Sequence, residues 1–160
     1  MKFEFSELIN EAVKLELNIS ELYLVFHSTF HEDSGFWWKL AIEEKNHASL
    51  LKNLEDFATQ LSAMPSYFDK VSIGDLEGSN NDIEKLIQQF EDSPPGREEA
   101  FQLAYKLEWS AGESHFQDFT DDESGSQISR IFKHLNQSDR DHAERIKEYA
   151  EAHGMQVQTS

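Results

Sequence analysis

Two segments of this chain each carry a carboxylate and a histidine three residues apart. The pairs are Glu44 with His47 and Asp139 with His142. Residues three apart lie on the same face of a helix, so both side chains of each pair can reach one point. A further glutamate precedes each pair. Glu16 lies 28 residues before Glu44 (16 to 44). Glu108 lies 31 residues before Asp139 (108 to 139). This recurrence indicates an internal repeat in which each half offers two carboxylates and one imidazole.

These residues can meet only if helices with one apolar face position them. Apolar side chains recur at three- and four-residue steps along four segments, which is typical of amphipathic α-helices. The predicted helices run from about Ser6 to Phe30, from Gly35 to the low 60s, from Arg97 to Phe119 and from Gln127 to His153. Residues 31–35 and 121–126, rich in Asp, Ser and Gly, are predicted turns. Each of the four carboxylates falls on an otherwise apolar face, where a charged residue is not expected.

A long connection is predicted between the second and third of these helices, from about Met64 to Pro95. Its turn-forming residues include Pro65, Gly74, Gly78, Asn80, Asn81, Pro94 and Pro95. A short helix is predicted within it, from about Asp82 to Phe90. A crossover of this length allows the second and third long helices to lie parallel. The predicted fold is therefore all-α, a four-helix bundle with a long crossover that carries a short extra helix.

The four carboxylates on apolar faces need a compensating positive charge. An ionised carboxylate that is buried alone is very costly, so proteins neutralise it, pair it or bind a metal to it. No Lys or Arg falls on any of the four apolar faces. Two divalent cations would balance the four carboxylates, with His47 and His142 as neutral donors. Oxygen and nitrogen donors without sulfur suit iron or manganese.

A single Glu-x-x-His would not support this interpretation. Such a spacing is common on helices and usually belongs to a pair of surface residues. His47 alone could equally be a core histidine bonded to a backbone carbonyl. What favours a metal site is the second copy, because both copies have an upstream glutamate and both lie on apolar faces.

Composition limits the remaining possibilities. The 160 residues, enough for one domain, include 31 acidic and 14 basic side chains, which give a formal net charge of −17. Such a charge repels nucleic acids and anionic membranes and attracts cations. The absence of cysteine excludes disulfides, iron–sulfur clusters and Cys-ligated metals. No apolar run is long enough to cross a bilayer, and the N-terminus does not resemble a signal peptide, so a cytoplasmic location is expected.

At these residues the sequence resembles the ferritin-like superfamily, specifically the rubrerythrin-type di-iron carboxylate domains. Their pattern is Glu, Glu-x-x-His, Glu, Glu-x-x-His on four helices, and the resemblance covers residues 1–155. Residues 156–160 are expected to be a frayed C-terminal tail. The resemblance implies a non-heme centre of two iron ions that uses peroxide or dioxygen as its oxidant and reduces peroxide or oxidises ferrous iron. The implied ligands are Glu16, Glu44, His47, Glu108, Asp139 and His142. Glu16 and Glu108 would bind one metal each or bridge. Glu44 and Asp139 would bridge the pair, and the two histidines would be terminal ligands.

Two features depart from this family. Residue 139 is Asp where the family has Glu, a side chain shorter by one methylene. This difference allows a mononuclear site or mixed occupancy, and manganese is a possible substitute for iron. The Cys-rich electron-transfer domain of complete rubrerythrins is missing, so electrons would come from a separate donor. A homodimer or small oligomer is expected, because helical bundles of this kind commonly pair.

Three alternatives to the peroxidase or ferroxidase stay open. An iron-storage ferritin would need a shell-forming surface, and its heme-bearing relatives use a Met beside Glu-x-x-His where Lys45 stands here. A hydroxylase of the di-iron class has the same ligands and differs in its substrate pocket. The third alternative is a degenerate bundle that acts as a metal-sensing or interaction module without catalysis, which Asp139 keeps open.

Overall fold

The computed structural model describes residues 2–58, 73–115 and 127–159, and these form five α-helices and no strand. The helices are α1 (Lys2–Thr29), α2 (Ser34–Ala58), α3 (Ile73–Asp92), α4 (Arg97–His115) and α5 (Gln127–Ala152). The all-α prediction is confirmed, and the ferritin-like arrangement stays a prediction. Within the described ranges, no helix combines the length and the hydropathy that crossing a membrane requires. The chain divides into two compact units, Met1–Pro94 and Pro95–Ser160.

The first unit is built on the antiparallel pair of α1 and α2. A 3-10 turn, His31–Asp33, reverses the chain where residues 31–35 were predicted to turn. Both helices bury one apolar face, as their helical periodicity requires. Near the turn, Tyr23 and Phe26 of α1 contact Trp37 of α2, with ring centroids 5.5 and 4.9 Å apart. This aromatic cluster fixes one end of the pair about two helical turns from Glu16.

The helix α3 corrects the sequence-based prediction of a short helix from Asp82 to Phe90. It has 20 residues and begins at Ile73, so it includes four residues that were assigned to turns. These are Gly74, Gly78, Asn80 and Asn81. Its buried apolar residues recur every seven positions, which places them on one face; they are Leu76, Ile83 and Phe90. This face packs on α1.

Hydrogen bonds explain why one turn-forming residue, Asn80, is helical in α3. Asn80 is fully buried on the α1-facing side. Its amide nitrogen donates to the carbonyl and to the carboxylate of Glu11, at 3.0 and 2.9 Å, and its amide oxygen accepts from Asn18 at 3.0 Å. Nearby, Lys14 forms an ion pair with Glu84 of α3 at 3.2 Å. These tertiary contacts outweigh the weak local preference of Asn for turns.

The second unit contains the antiparallel pair of α4 and α5. The rings of Phe101 and Tyr149 stack with centroids 5.5 Å apart. Glu108 lies seven residues after Phe101 on α4, and His142 lies seven residues before Tyr149 on α5. The side chains of Glu108 and His142 are also in contact. This register places the predicted ligands of the unit opposite each other. The buried apolar residues of α5 include Phe132, Leu135, Ala143 and Ile146.

The end of α5 agrees with the stop predicted at Gly154. The helix ends at Ala152, and Gly154 has φ +79°, a conformation that L side chains rarely adopt. The amide of Met155 then returns to the carbonyl of Ala150 at 2.8 Å. The predicted extensions of the second helix beyond residue 58 and of the third beyond residue 115, with the turn 121–126, lie outside the described residues.

The C-terminal segment, residues 155–159, lies against α4 in the structure, where the sequence indicated a frayed tail over residues 156–160. The amide of Gln158 donates to the side-chain oxygen of Gln102 at 2.6 Å, and the side-chain nitrogen of Gln102 donates to the carbonyl of Gln158 at 3.0 Å. The amide of Gln156 donates to Glu98 at 3.1 Å. Val157 between them is buried. Paired hydrogen bonds and a buried apolar side chain hold this segment in place.

Candidate metal centre

Three predicted ligands of the first unit form a buried group, here called the first triad: Glu16 of α1 with Glu44 and His47 of α2. One donor atom of each lies within 4.8 Å of the others. The Nδ1 atom of His47 is 3.3 Å from Oε2 of Glu44 and 3.7 Å from Oε2 of Glu16. All three side chains belong to residues that are at most 4% exposed. The i, i+3 spacing on α2 therefore directs both side chains toward the single glutamate of α1.

A hydrogen bond between the two helices sets the register of the first triad. The hydroxyl of Ser20 donates to the carbonyl of Ala41 at 2.8 Å, and both residues are buried. Ser20 lies one turn after Glu16, and Ala41 lies one turn before Glu44. The bond fixes how far α1 can slide along α2, and so it holds Glu16 opposite the Glu-x-x-His pair.

The electrostatics of the first triad show that it retains protons in the metal-free state. Burial, followed by the negative charge of Glu44, raises the pKa of Glu16 to about 8. Burial by itself lowers the pKa of His47, but its interactions with Glu16 and Glu44 outweigh burial and raise that pKa to about 10. Near neutral pH the folded triad therefore binds protons that the unfolded chain would release. A divalent cation would take the place of those protons.

The second unit contains an equivalent group, the second triad: Glu108 of α4 with Asp139 and His142 of α5. One donor atom of each again lies within 4.8 Å of the others. The Nδ1 atom of His142 is 3.5 Å from Oε1 of Glu108. The three residues are at most 2% exposed. In both triads the single glutamate of the first helix thus contacts Nδ1 of the histidine on the second helix.

The six predicted ligands are therefore all buried, and each unit brings its own three together. The assembly of all six residues around one pair of metal ions stays a prediction. One buried polar residue beside the second triad was not identified from the sequence. Asn136 lies three residues before Asp139, is 1% exposed, and its Oδ1 accepts no hydrogen bond from any described residue. Aligning the two halves of the sequence would have revealed it, because the equivalent position of the first half is Ala41.

The donors of the triads fit a hard or borderline divalent cation. They are carboxylate oxygens and imidazole nitrogens only, the set that iron and manganese accept. In the first triad, Oε2 of Glu16 is buried and accepts no hydrogen bond from the described residues. A cation at that oxygen would satisfy it and would offset the burial of two neighbouring carboxylates. No protein-family model, curated protein or solved structure matches this chain.

Proposed function

We propose that this chain is a non-heme di-iron protein of the rubrerythrin type, in which each triad supplies ligands of one iron ion and the two ions react together. One observation carries the proposal: each unit, taken by itself, gathers a glutamate, a second carboxylate and a histidine within 4.8 Å. All six residues are at most 4% exposed. A surface pair of Glu and His would not require this burial, whereas paired carboxylate–histidine sets on the helices of a bundle are the usual ligands of two metal ions.

The proposed reaction is the reduction of hydrogen peroxide, or the oxidation of ferrous iron. A pair of ferrous ions held by the triads would supply two electrons, with which one hydrogen peroxide and two protons would give two water molecules. The four carboxylates balance the charge of two divalent ions, while His47 and His142 act as neutral donors. Burial of the triads keeps bulk water away from these groups. Because ligands bind metals in their deprotonated form, loading the first triad releases the protons held by Glu16 and His47.

We propose that the electrons for further turnovers come from a separate donor. These 160 residues contain no cysteine, so they cannot themselves build a sulfur-ligated iron site that relays electrons. The formal net charge of −17 favours a donor whose docking surface is basic. Manganese is the other metal that the same donors accept, and its presence would be revealed by the same analysis that tests for iron.

The proposal is tested on metal-free protein that is loaded anaerobically with ferrous iron. After removal of excess metal, elemental analysis should find about two iron ions per chain. Anaerobic addition of hydrogen peroxide should then oxidise two irons for each peroxide consumed. The Glu108→Ala variant should lose the ion of the second triad and most of the peroxide reaction. Glu99→Ala is the matched control, because Glu99 is an exposed glutamate on the same helix.

The oxidised protein distinguishes the competing interpretations. A coupled pair of ferric ions should give no electron paramagnetic resonance signal, whereas two isolated ferric ions should each give one. Isolated signals at full occupancy would reject the dinuclear centre while leaving two metal sites. Protein that binds no metal and keeps its normal stability would reject the proposal altogether and favour an interaction module.

A further inference from the structure

The second triad has a buried neighbour, Asn136, to which the proposed function gives no role. It lies on α5 three residues before Asp139, and therefore on the same face one turn away. Only 1% of its surface is exposed, and its amide oxygen accepts no hydrogen bond from the described residues. Buried amides in native proteins are bonded to protein, to ordered water or to an ion. An additional group must therefore satisfy Asn136.

The first unit shows what this turn of the helix looks like without the amide. There the equivalent residues are Ala41 and Glu44. The second unit replaces the alanine by Asn136 and shortens the carboxylate by one methylene at Asp139. These two differences lie one turn apart on one face of the helix. The unit with the shorter carboxylate, Asp139, is thus the one that has an amide one turn away.

We infer that Asn136 is a positioning residue of the second triad. Its amide holds one water molecule against Asp139 and so orients the Asp139 carboxylate toward the metal ion. A water molecule can donate one hydrogen to the amide oxygen and the other to the carboxylate. The inference rests on the proposed function, since the orientation of Asp139 matters only if the second triad binds a metal.

Helix geometry favours this role over direct binding of the metal by Asn136. Asn136 and His142 lie on opposite sides of Asp139 along α5, six residues apart. At 1.5 Å per residue they are separated by about 9 Å along the helix axis. The amide of Asn136 is therefore poorly placed to bind the same ion as the imidazole. A group that orients a ligand, rather than a ligand itself, suits the position, and such groups strongly affect metal affinity.

The test uses the whole chain, with cobalt(II) as a probe that does not react with air as ferrous iron does. Metal-free protein is titrated with cobalt(II), and binding is followed by visible absorption. The wild-type protein should bind about two ions. Asn136→Ala should bind one of them roughly tenfold more weakly and leave the other unchanged. Asn136→Ser, which keeps a hydroxyl for the water, should have an intermediate affinity. Urea unfolding of each metal-free variant separates an effect on the metal from an effect on the fold.

A double variant gives the sharpest result. Asn136→Ala combined with Asp139→Glu recreates the Ala41 and Glu44 arrangement of the first unit, so the longer carboxylate no longer needs the water. Its cobalt affinity should return to the wild-type value. The inference is overturned if Asn136→Ala changes stability but not affinity, or if the double variant binds as weakly as the single one. Wild-type protein that binds no cobalt would instead overturn the proposed function, and the inference with it.

Discussion

The two triads have nearly the same donors but different supports. In the first unit, α3 packs on α1, the helix that carries the single glutamate, through the fully buried Asn80. In the second unit, the corresponding helix α4 is contacted by the C-terminal segment through hydrogen bonds of Gln102 and Glu98 that lie at the surface. The residue types of the triads are thus repeated, whereas the structure that supports them is not. In each unit a later part of the chain packs on, and so supports, the helix that provides only one residue of the triad.

In the first unit, electrostatics give a reason why α1 needs this support. In the metal-free protein Glu16 and Glu44 are buried side by side, and the pKa of Glu16 is raised to about 8 in part by the charge of Glu44. Once the pH is high enough to ionise Glu16, repulsion between the two carboxylates tends to separate α1 from α2. The helix with the Glu-x-x-His pair contributes two ligands, but α1 contributes one. Contacts on its other side, such as those from Asn80, oppose the separation.

Removing one carboxylate, from either the first or the second triad, tests whether the two triads are equivalent. These two variants should have the largest effect on activity. Glu44→Ala and Asp139→Ala should each lower the iron content from about two toward one. Both should slow peroxide reduction at least about 100-fold, because the two-electron reaction needs both irons. Elemental analysis and stopped-flow kinetics measure these effects, with Glu144→Ala as a control on an exposed glutamate of α5. If Asp139→Ala kept two irons and its full rate, the second triad would not be a metal site.

The first triad makes the stability of the metal-free protein depend on pH. Glu16 has a folded pKa of about 8 against an ordinary 4.5, and His47 has about 10 against 6.5. Between pH 6.5 and 8 the folded state therefore holds protons that the unfolded state has released. Stability must fall as the pH rises through this range, by about 1.4 kcal/mol per pH unit for each proton held.

Urea unfolding of metal-free protein at pH 6.5 and pH 8 measures this loss of stability. Glu16→Gln should reduce the pH dependence, because the amide cannot titrate. Glu21→Gln, an exposed glutamate on the same helix, should leave it unchanged. Saturation with metal should also reduce the dependence, since bound metal replaces the protons. An equal pH dependence in wild type and Glu16→Gln would show that the triad is not its source.

The contact between α3 and α1 in the first unit can be weakened at Asn80. Asn80→Ala removes a fully buried amide that bonds to Asn18 and Glu11, and it leaves their polar groups without those bonds. We expect the free energy of unfolding to fall by about 1–3 kcal/mol. Asn81→Ala, at the exposed next position of α3, should change it by less than about 0.5 kcal/mol. Comparable losses in both variants would show that the buried hydrogen bonds do not hold α3 on α1.

Asn80 also marks where prediction from the sequence failed. The helices that carry the ligands could be predicted, because each has a sustained apolar stripe and because the repeat aligns Glu16 with Glu108. The full length of α3 could not be predicted, since Gly74, Gly78 and Asn80 favour turns locally and the sequence gives no sign of the contacts that Asn80 makes with α1. Asn136 was missed because a single asparagine carries no signal until its position is compared with Ala41.

The C-terminal segment was missed for a similar reason, because five residues after a helix stop have too little pattern to predict that they pack. Its hydrogen bonds lie at the surface, so Gln102→Ala should have the smallest effect, a loss of less than about 1 kcal/mol. The sensitive measurement is hydrogen exchange of the Gln158 amide, which donates to Gln102 at 2.6 Å in the structure and should lose its protection in the variant. Exchange at Ala104 and Tyr105, in the middle of α4, should be unchanged. If α4 lost protection together with the Gln158 amide, the C-terminal segment would be essential to the fold of the second unit. The supports of α1 and α4 would then be more alike than the exposure of their hydrogen bonds indicates.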